Sequence, residues 1–62
     1  MNNTDLQLVI ASRLEDMADQ VYQLFAAGMP EEAELIRREG LELAEAFDAE
    51  QTFLYLEDLT EA

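Results

Sequence analysis

The sequence predicts an all-α fold: an antiparallel helical hairpin over about residues 4–27 and 30–47, then a short C-terminal helix over about 49–59. Three observations point there. Apolar residues recur at helical spacing in two long stretches, Gly28 and Pro30 stand together between them, and the apolar register slips after Phe47. A length of 62 residues allows one small domain, spanning 1–62. A chain of that size buries only about 60% of the surface its unfolded form exposes, so extra core must come from elsewhere. With no Cys and no His, neither a disulfide nor a structural zinc is available. Self-association into a dimeric helical bundle is therefore the expected source.

The first helix is expected to open on Thr4-Asp5-Leu6-Gln7, read as a capping box with Thr4 as N-cap and Gln7 three residues on. From there Leu6, Ile10, Leu14, Met17, Val21 and Leu24, flanked by Ala18 and Phe25, fall within an arc of about 120°. Ser12, Glu15, Asp16, Asp19 and Gln23 take the opposite side. No strand-like alternation competes with this pattern.

Ala26-Ala27-Gly28-Met29-Pro30 ends that helix. Gly28 suits the left-handed position just past a helix C-terminus, and Pro30 suits the first turn of the next helix, where its missing N–H costs nothing. Glu31 and Glu32 then meet the positive end of the helix dipole, while Met29 is a poor N-cap by type. So short a connection folds the two helices back on each other.

In the second helix Ala33, Ile36, Gly40, Leu43, Ala44 and Phe47 share one arc. A mid-helix Gly costs roughly 1 kcal/mol against Ala, so Gly40 within the apolar stripe suggests close backbone approach to a neighbouring helix. Glu34–Arg38 and Arg38–Glu42 are i,i+4 pairs of opposite charge, and the Arg37-Arg38 pair is read as part of a solvated face. The stretch Gly28-x-x-Glu31-Glu32-Ala33 with Gly40, Leu41 and Leu43 resembles the turn and second helix of a tetratricopeptide hairpin over about 16 residues. The tyrosine and proline positions of that repeat are unmatched and the chain has no second copy, so the likeness implies a helical hairpin and no family membership.

Were the second helix to continue past Phe47, Phe53 and Leu56 would leave the stripe of Ile36 and Leu43. A break near Asp48 is expected instead, with Asp48 and Gln51 as a second capping box opening the third helix.

Composition removes most chemistry. Lys is absent and the cations are Arg13, Arg37 and Arg38, so neither a Schiff-base lysine nor a phosphate-binding loop ending in Gly-Lys can be built. Without His or Cys the triads and dyads of acyl transfer are excluded within the chain. Glu31/Glu34 and Glu42/Glu45 have a spacing that di-metal carboxylate bundles use, but those sites also need His three residues on and inward-facing carboxylates. No enzyme activity, cofactor or metal site is expected. Three arginines cannot neutralise a run of phosphates, which argues against direct nucleic-acid binding. Apolar runs of four residues are far short of the ~20 that span a bilayer, and nothing at the N-terminus resembles a signal peptide. A cytoplasmic protein is the expectation.

Fifteen acidic residues against three basic ones give a formal charge of −12. That exceeds the magnitude of about 2 to 8 that keeps a small domain soluble, and it works against compactness by self-repulsion. Three explanations compete: a solvated surface on a helical protein that docks through its apolar faces, mimicry of a nucleic-acid backbone, or a salt-adapted proteome. The apolar residues outside the two stripes (Leu8, Leu35, Leu41, Phe53, Leu56 and Leu59) are too many for a chain of this size to hide, and Phe53 to Leu59 holds five large apolar groups in seven residues. The expected function is a non-enzymatic protein–protein interaction module: a regulator, adaptor or inhibitor that is itself a homodimer. Its candidate partner-binding residues are Phe53, Tyr55, Leu56, Leu59, Leu35 and Leu41. The alternative is an acidic inhibitor of phage or plasmid type that occupies the groove of a nucleic-acid-binding protein through Glu31, Glu34, Glu42, Glu45 and Asp48.

Overall fold

The computed structural model describes residues 3–59, which form three helices packed on one another: α1 (Asn3–Ala26), α2 (Pro30–Ala46) and α3 (Glu50–Asp58). The predicted hairpin and third helix are present, with ends within a residue or so of those expected. Because α1 already begins at Asn3, Thr4 lies inside the first turn and not at the N-cap.

Both corners use the same hydrogen bonds. At the first, the Gly28 amide donates to the Phe25 carbonyl (3.1 Å) and the Met29 amide to the Leu24 carbonyl (2.9 Å), while Gly28 sits at φ +76°. At the second, the Asp48 amide donates to the Glu45 carbonyl (3.3 Å) and the Ala49 amide to the Ala44 carbonyl (2.8 Å), with Asp48 at φ +55°. This is the Schellman pattern, which satisfies carbonyls that a helix end otherwise leaves open. Each time the next helix starts at once. The carbonyls of Met29 and Ala49 accept from the amides of Ala33 (3.0 Å) and Phe53 (2.9 Å). Gly28 therefore acts as the sequence implies. Asp48 breaks the chain where expected but by another means: it takes the left-handed position after α2, and Ala49 is the N-cap of α3 with no side-chain cap bond. The Asp48–Gln51 capping box is thus not formed.

The core is small, with Leu14, Met17, Val21 and Leu56 set among alanines. Ala18, Val21, Ala33 and Leu56 form one cluster, ringed by Leu24, Phe25, Ile36, Leu41 and Leu59. Leu14, Met17 and Ala44 form a second, ringed by Ile10, Ile36, Leu43, Ala49 and Phe53, so Ile36 joins the two. Ala18, Ala33, Gly40 and Ala44 let the helices approach closely, and α3 inserts Leu56 where α2 has no side chain. A Cβ added to Gly40 would stand 2.8 Å from Leu56 Cδ1 and 3.8 Å from Met17 Cε. The groove along the hairpin is therefore filled in part by α3. Phe47 departs from the expected stripe: it caps α2 beyond the helix proper and remains exposed.

Gly40 lies level with Met17, so at 1.5 Å per residue the end of α2 lies level with about residue 11 of α1. Residues 3–9 of α1 run on past it for about 10 Å. Leu6, the next member of the α1 stripe after Ile10, is accordingly 40% exposed, whereas Leu8 and Val9 are exposed because they point away from that stripe.

Candidate partner-binding surface

The six apolar residues expected to meet a partner divide cleanly. Leu56 is fully buried and belongs to the core, and Leu41 and Leu59 pack against the same cluster. Phe53 packs against the second cluster, of Leu14, Met17 and Ala44, as do Ala49 and Leu43. Placing Leu56 on a docking surface is therefore corrected. The physical reason is that α3 and its C-cap bring Phe53, Leu56 and Leu59 toward one side, and the vacancy at Gly40 accepts Leu56. Three of these five apolar residues, together with Leu41, are thereby withdrawn from solvent.

Leu54 and Tyr55 face outward, each 49% exposed. Leu35 is also exposed, but it stands on the far side of α2 from Ala33, Gly40 and Ala44, between Glu31, Glu34 and Arg38. The expected surface thus reduces to the outer face of α3, with Leu35 isolated from it on the opposite flank of α2.

What orients that face is Arg37, a residue that reasoning from neighbouring charges misplaced. Its side chain is largely buried, not solvated. Nε donates to the Leu56 carbonyl (2.7 Å), an Nη to the Glu57 carbonyl (2.8 Å) and the other Nη to Glu34 Oε1 (2.9 Å). Leu56 and Glu57 are in the last turn of α3, where carbonyls run short of backbone donors and carry the negative end of the helix dipole; the Leu56 carbonyl also accepts from the amide of the C-cap Leu59 (3.3 Å). One planar guanidinium therefore closes α3 and ties it to α2, a two-pronged geometry that Lys cannot reproduce. Glu34 pairs with Arg37 in place of the expected Arg38, and Arg38 is exposed. The available signal was position: Arg37 lies one turn before Gly40 and Leu41, on the flank that α3 covers.

Of the acidic residues singled out from the sequence, Glu31, Glu42, Glu45 and Asp48 are exposed and Glu34 is engaged by Arg37. Glu45, Asp48 and Glu50 rim a shallow hollow of about 380 Å³ at the α2–α3 corner, with Ala44 and Phe53 as its apolar floor. Among the described residues no group of three or more carboxylates is placed to hold a metal ion, and no helix is long and apolar enough to cross a membrane. No protein-family model matches the chain, and comparison with characterised proteins and with solved structures returns no match.

Proposed function

We propose that the chain is a non-enzymatic protein–protein interaction module, a regulator, adaptor or inhibitor acting in the cytoplasm as a homodimer, and that its partner protein docks on the outer face of α3. The observation that carries this reading is the pair Leu54 and Tyr55. Both are half exposed on a helix whose inner face is already spent on the core. A helix that needed only to cover the hairpin would be polar on its outside. Tyr is also a type enriched at interface centres, where its ring contributes area and its hydroxyl finds a partner.

The test is a double substitution, Leu54→Ser with Tyr55→Ala, which leaves Phe53, Leu56 and Leu59 in place. Wild type and variant serve as bait in parallel in lysate of the native host. A partner held by wild type and weakened by about 2 kcal/mol or more in the variant, at unchanged helicity, supports the docking face. Equal capture by both removes it.

The acidic-mimic alternative is favoured by one observation: Glu31, Glu42 and Glu45 are exposed along α2 in a chain of charge −12. Arg38 interrupts that line. Ionic strength separates the two readings, because charge-driven binding weakens steeply between about 50 and 500 mM salt whereas apolar docking on α3 does not.

A further inference from the structure

We infer that the protein docked on the outer face of α3 presents a basic amphipathic helix, whose apolar side chains meet Leu54 and Tyr55 while its Lys or Arg side chains meet the carboxylates around them. The inference rests on the docking face proposed above and assigns its partner a chemistry. On a helix surface the neighbours of residue i are those at i±3 and i±4. For Leu54 these are Glu50, Gln51, Glu57 and Asp58, all exposed: three carboxylates, one amide and no cation. α3 itself holds no basic residue, and among the described residues none of the three carboxylates is ion-paired with an arginine. The guanidinium that does reach α3, that of Arg37, is spent on Glu34 and two backbone carbonyls. Other exposed apolar residues are set differently. Leu35 and Val9 each have an arginine one turn on, Arg38 and Arg13, and Leu8 has one acid, Asp5, within a turn. The acidic ring around Leu54 is therefore a feature of this face and not merely of a chain of charge −12.

The adjoining corner carries the same combination. Glu50 also stands on the rim of the hollow with Glu45 and Asp48, over a floor of Ala44 and Phe53. An apolar floor under a carboxylate rim is the counterpart of a Lys or Arg side chain, whose stem is hydrocarbon and whose tip is charged. At about 380 Å³ the hollow has room for one such side chain. A helix is the form that fits the rest. The backbone of α3 is hydrogen-bonded within itself, so only side chains are on offer, and its carboxylates lie one turn to either side of Leu54 over about 12 Å of axis. Basic residues one turn to either side of an apolar one match that spacing. A second copy does not, because α3 supplies no cation and each copy carries −12. Charges around the rim act chiefly on encounter, and the apolar anchors on residence. With three carboxylates involved, salt weakens this contact far less than it would a whole acidic face.

The probe is a display library of peptides of about 18 residues, long enough to be helical, with one face randomised and selected on the wild-type protein. Selected peptides are then titrated into isotopically labelled protein and followed by NMR. The expected sequences place Lys or Arg three or four residues to either side of a large apolar residue, and the amide shifts concentrate in α3. Neutral or acidic peptides that shift α3 overturn this inference and leave the docking face intact. No enrichment, or shifts spread evenly over the acidic surface, overturns both. A pair of charge-matched variants separates the ring from bulk charge: Glu50→Gln with Glu57→Gln and Asp58→Asn, against Glu15→Gln with Asp16→Asn and Asp19→Asn, all at exposed positions. At about 50 mM salt the first should associate with a selected peptide about tenfold more slowly than the second, with dissociation changed less than about threefold. Equal association rates overturn the inference. Should the α3 variant lose helicity, the peptide sequences and the shifts on wild type decide the matter.

Discussion

Gly40→Ala adds one methyl group at the point where α3 is seated on the hairpin, and its effect should change sign with the residue at position 56. The new carbon would lie 2.8 Å from Leu56 Cδ1, whereas carbon atoms rest at about 3.5 to 4.0 Å. Leu56 must then move by about 0.7 Å or more. It has no slack in which to do so, since it is 0% exposed and packs with Val21, Ala33 and Ala18. Overpacking of this kind costs about 1–3 kcal/mol, and Ala in place of a mid-helix Gly returns about 1 kcal/mol of helix propensity. The net expectation is a loss of up to about 2 kcal/mol, or a melting temperature lower by as much as roughly 8–16 °C in a domain this small.

Leu56→Ala alone leaves a cavity and costs about 2–5 kcal/mol. In that background the added methyl meets no clash, partly fills the space and expresses its propensity in full, so Gly40→Ala becomes stabilising by about 1 kcal/mol. The coupling between the two sites is then about 1–3 kcal/mol, well above the scatter of independent substitutions. Urea denaturation of all four proteins, followed by circular dichroism in a stabilising osmolyte so that the weakest remains folded, measures it. Were Gly40→Ala to stabilise both backgrounds equally, α3 would not press on α2 at Gly40, and the packing argument would be refuted.

Arg37→Ala should cost about 1–2 kcal/mol, because the last-turn carbonyls of α3 lose a charged donor, and Arg37→Lys should recover less than half of it; hydrogen exchange at the amides of α3 reports the fraying directly. Gly28→Ala should destabilise by about 1 kcal/mol at φ +76°, whereas Asp48→Gly should stabilise by about 0.5–1 kcal/mol by relieving a non-glycine φ of +55°. Asp48→Asn removes the same charge without glycine's freedom; if it matches Asp48→Gly in a thermal melt, the gain is electrostatic and the strain argument falls. Raising salt from about 20 to 500 mM should raise the melting temperature of the wild type, since screening relieves the self-repulsion of a −12 chain. A melting temperature that falls with salt would mean that net attraction, centred on pairs such as Glu34–Arg37, outweighs that repulsion.

The hairpin was legible because its signals are local. Helical spacing from Leu6 to Leu24 and the Gly28–Pro30 corner depend only on residues near one another in the chain. The break at Asp48 was legible from the slip in register, but its mechanism was not, because capping and left-handed φ draw on the same residue type. What escaped was the seating of α3. Gly40 was read as a place of close backbone approach, but the space is taken by the side chain of Leu56, sixteen residues on, a match the sequence offered no way to make. Arg37 was read against its neighbours Glu34 and Glu42, since i,i+4 rules see charges and not the backbone carbonyls that lie 19 and 20 residues away.

Those two long-range matches bear directly on the candidate surface. Were α3 loosely attached, all five of its large apolar residues would be free to serve either core or partner, and no face could be singled out. The Gly40–Leu56 fit sets the rotation of α3 about its own axis, and the Arg37 bonds fix its C-terminal end against α2. With rotation and position both set, Phe53, Leu56 and Leu59 are assigned inward, and Leu54 and Tyr55 are left outside. A helix already held in one orientation pays less ordering entropy when a partner docks on it, which is the condition under which a small surface binds usefully. The same features that make up for the missing disulfide or metal in this short chain thus also hold its exposed face in a single orientation.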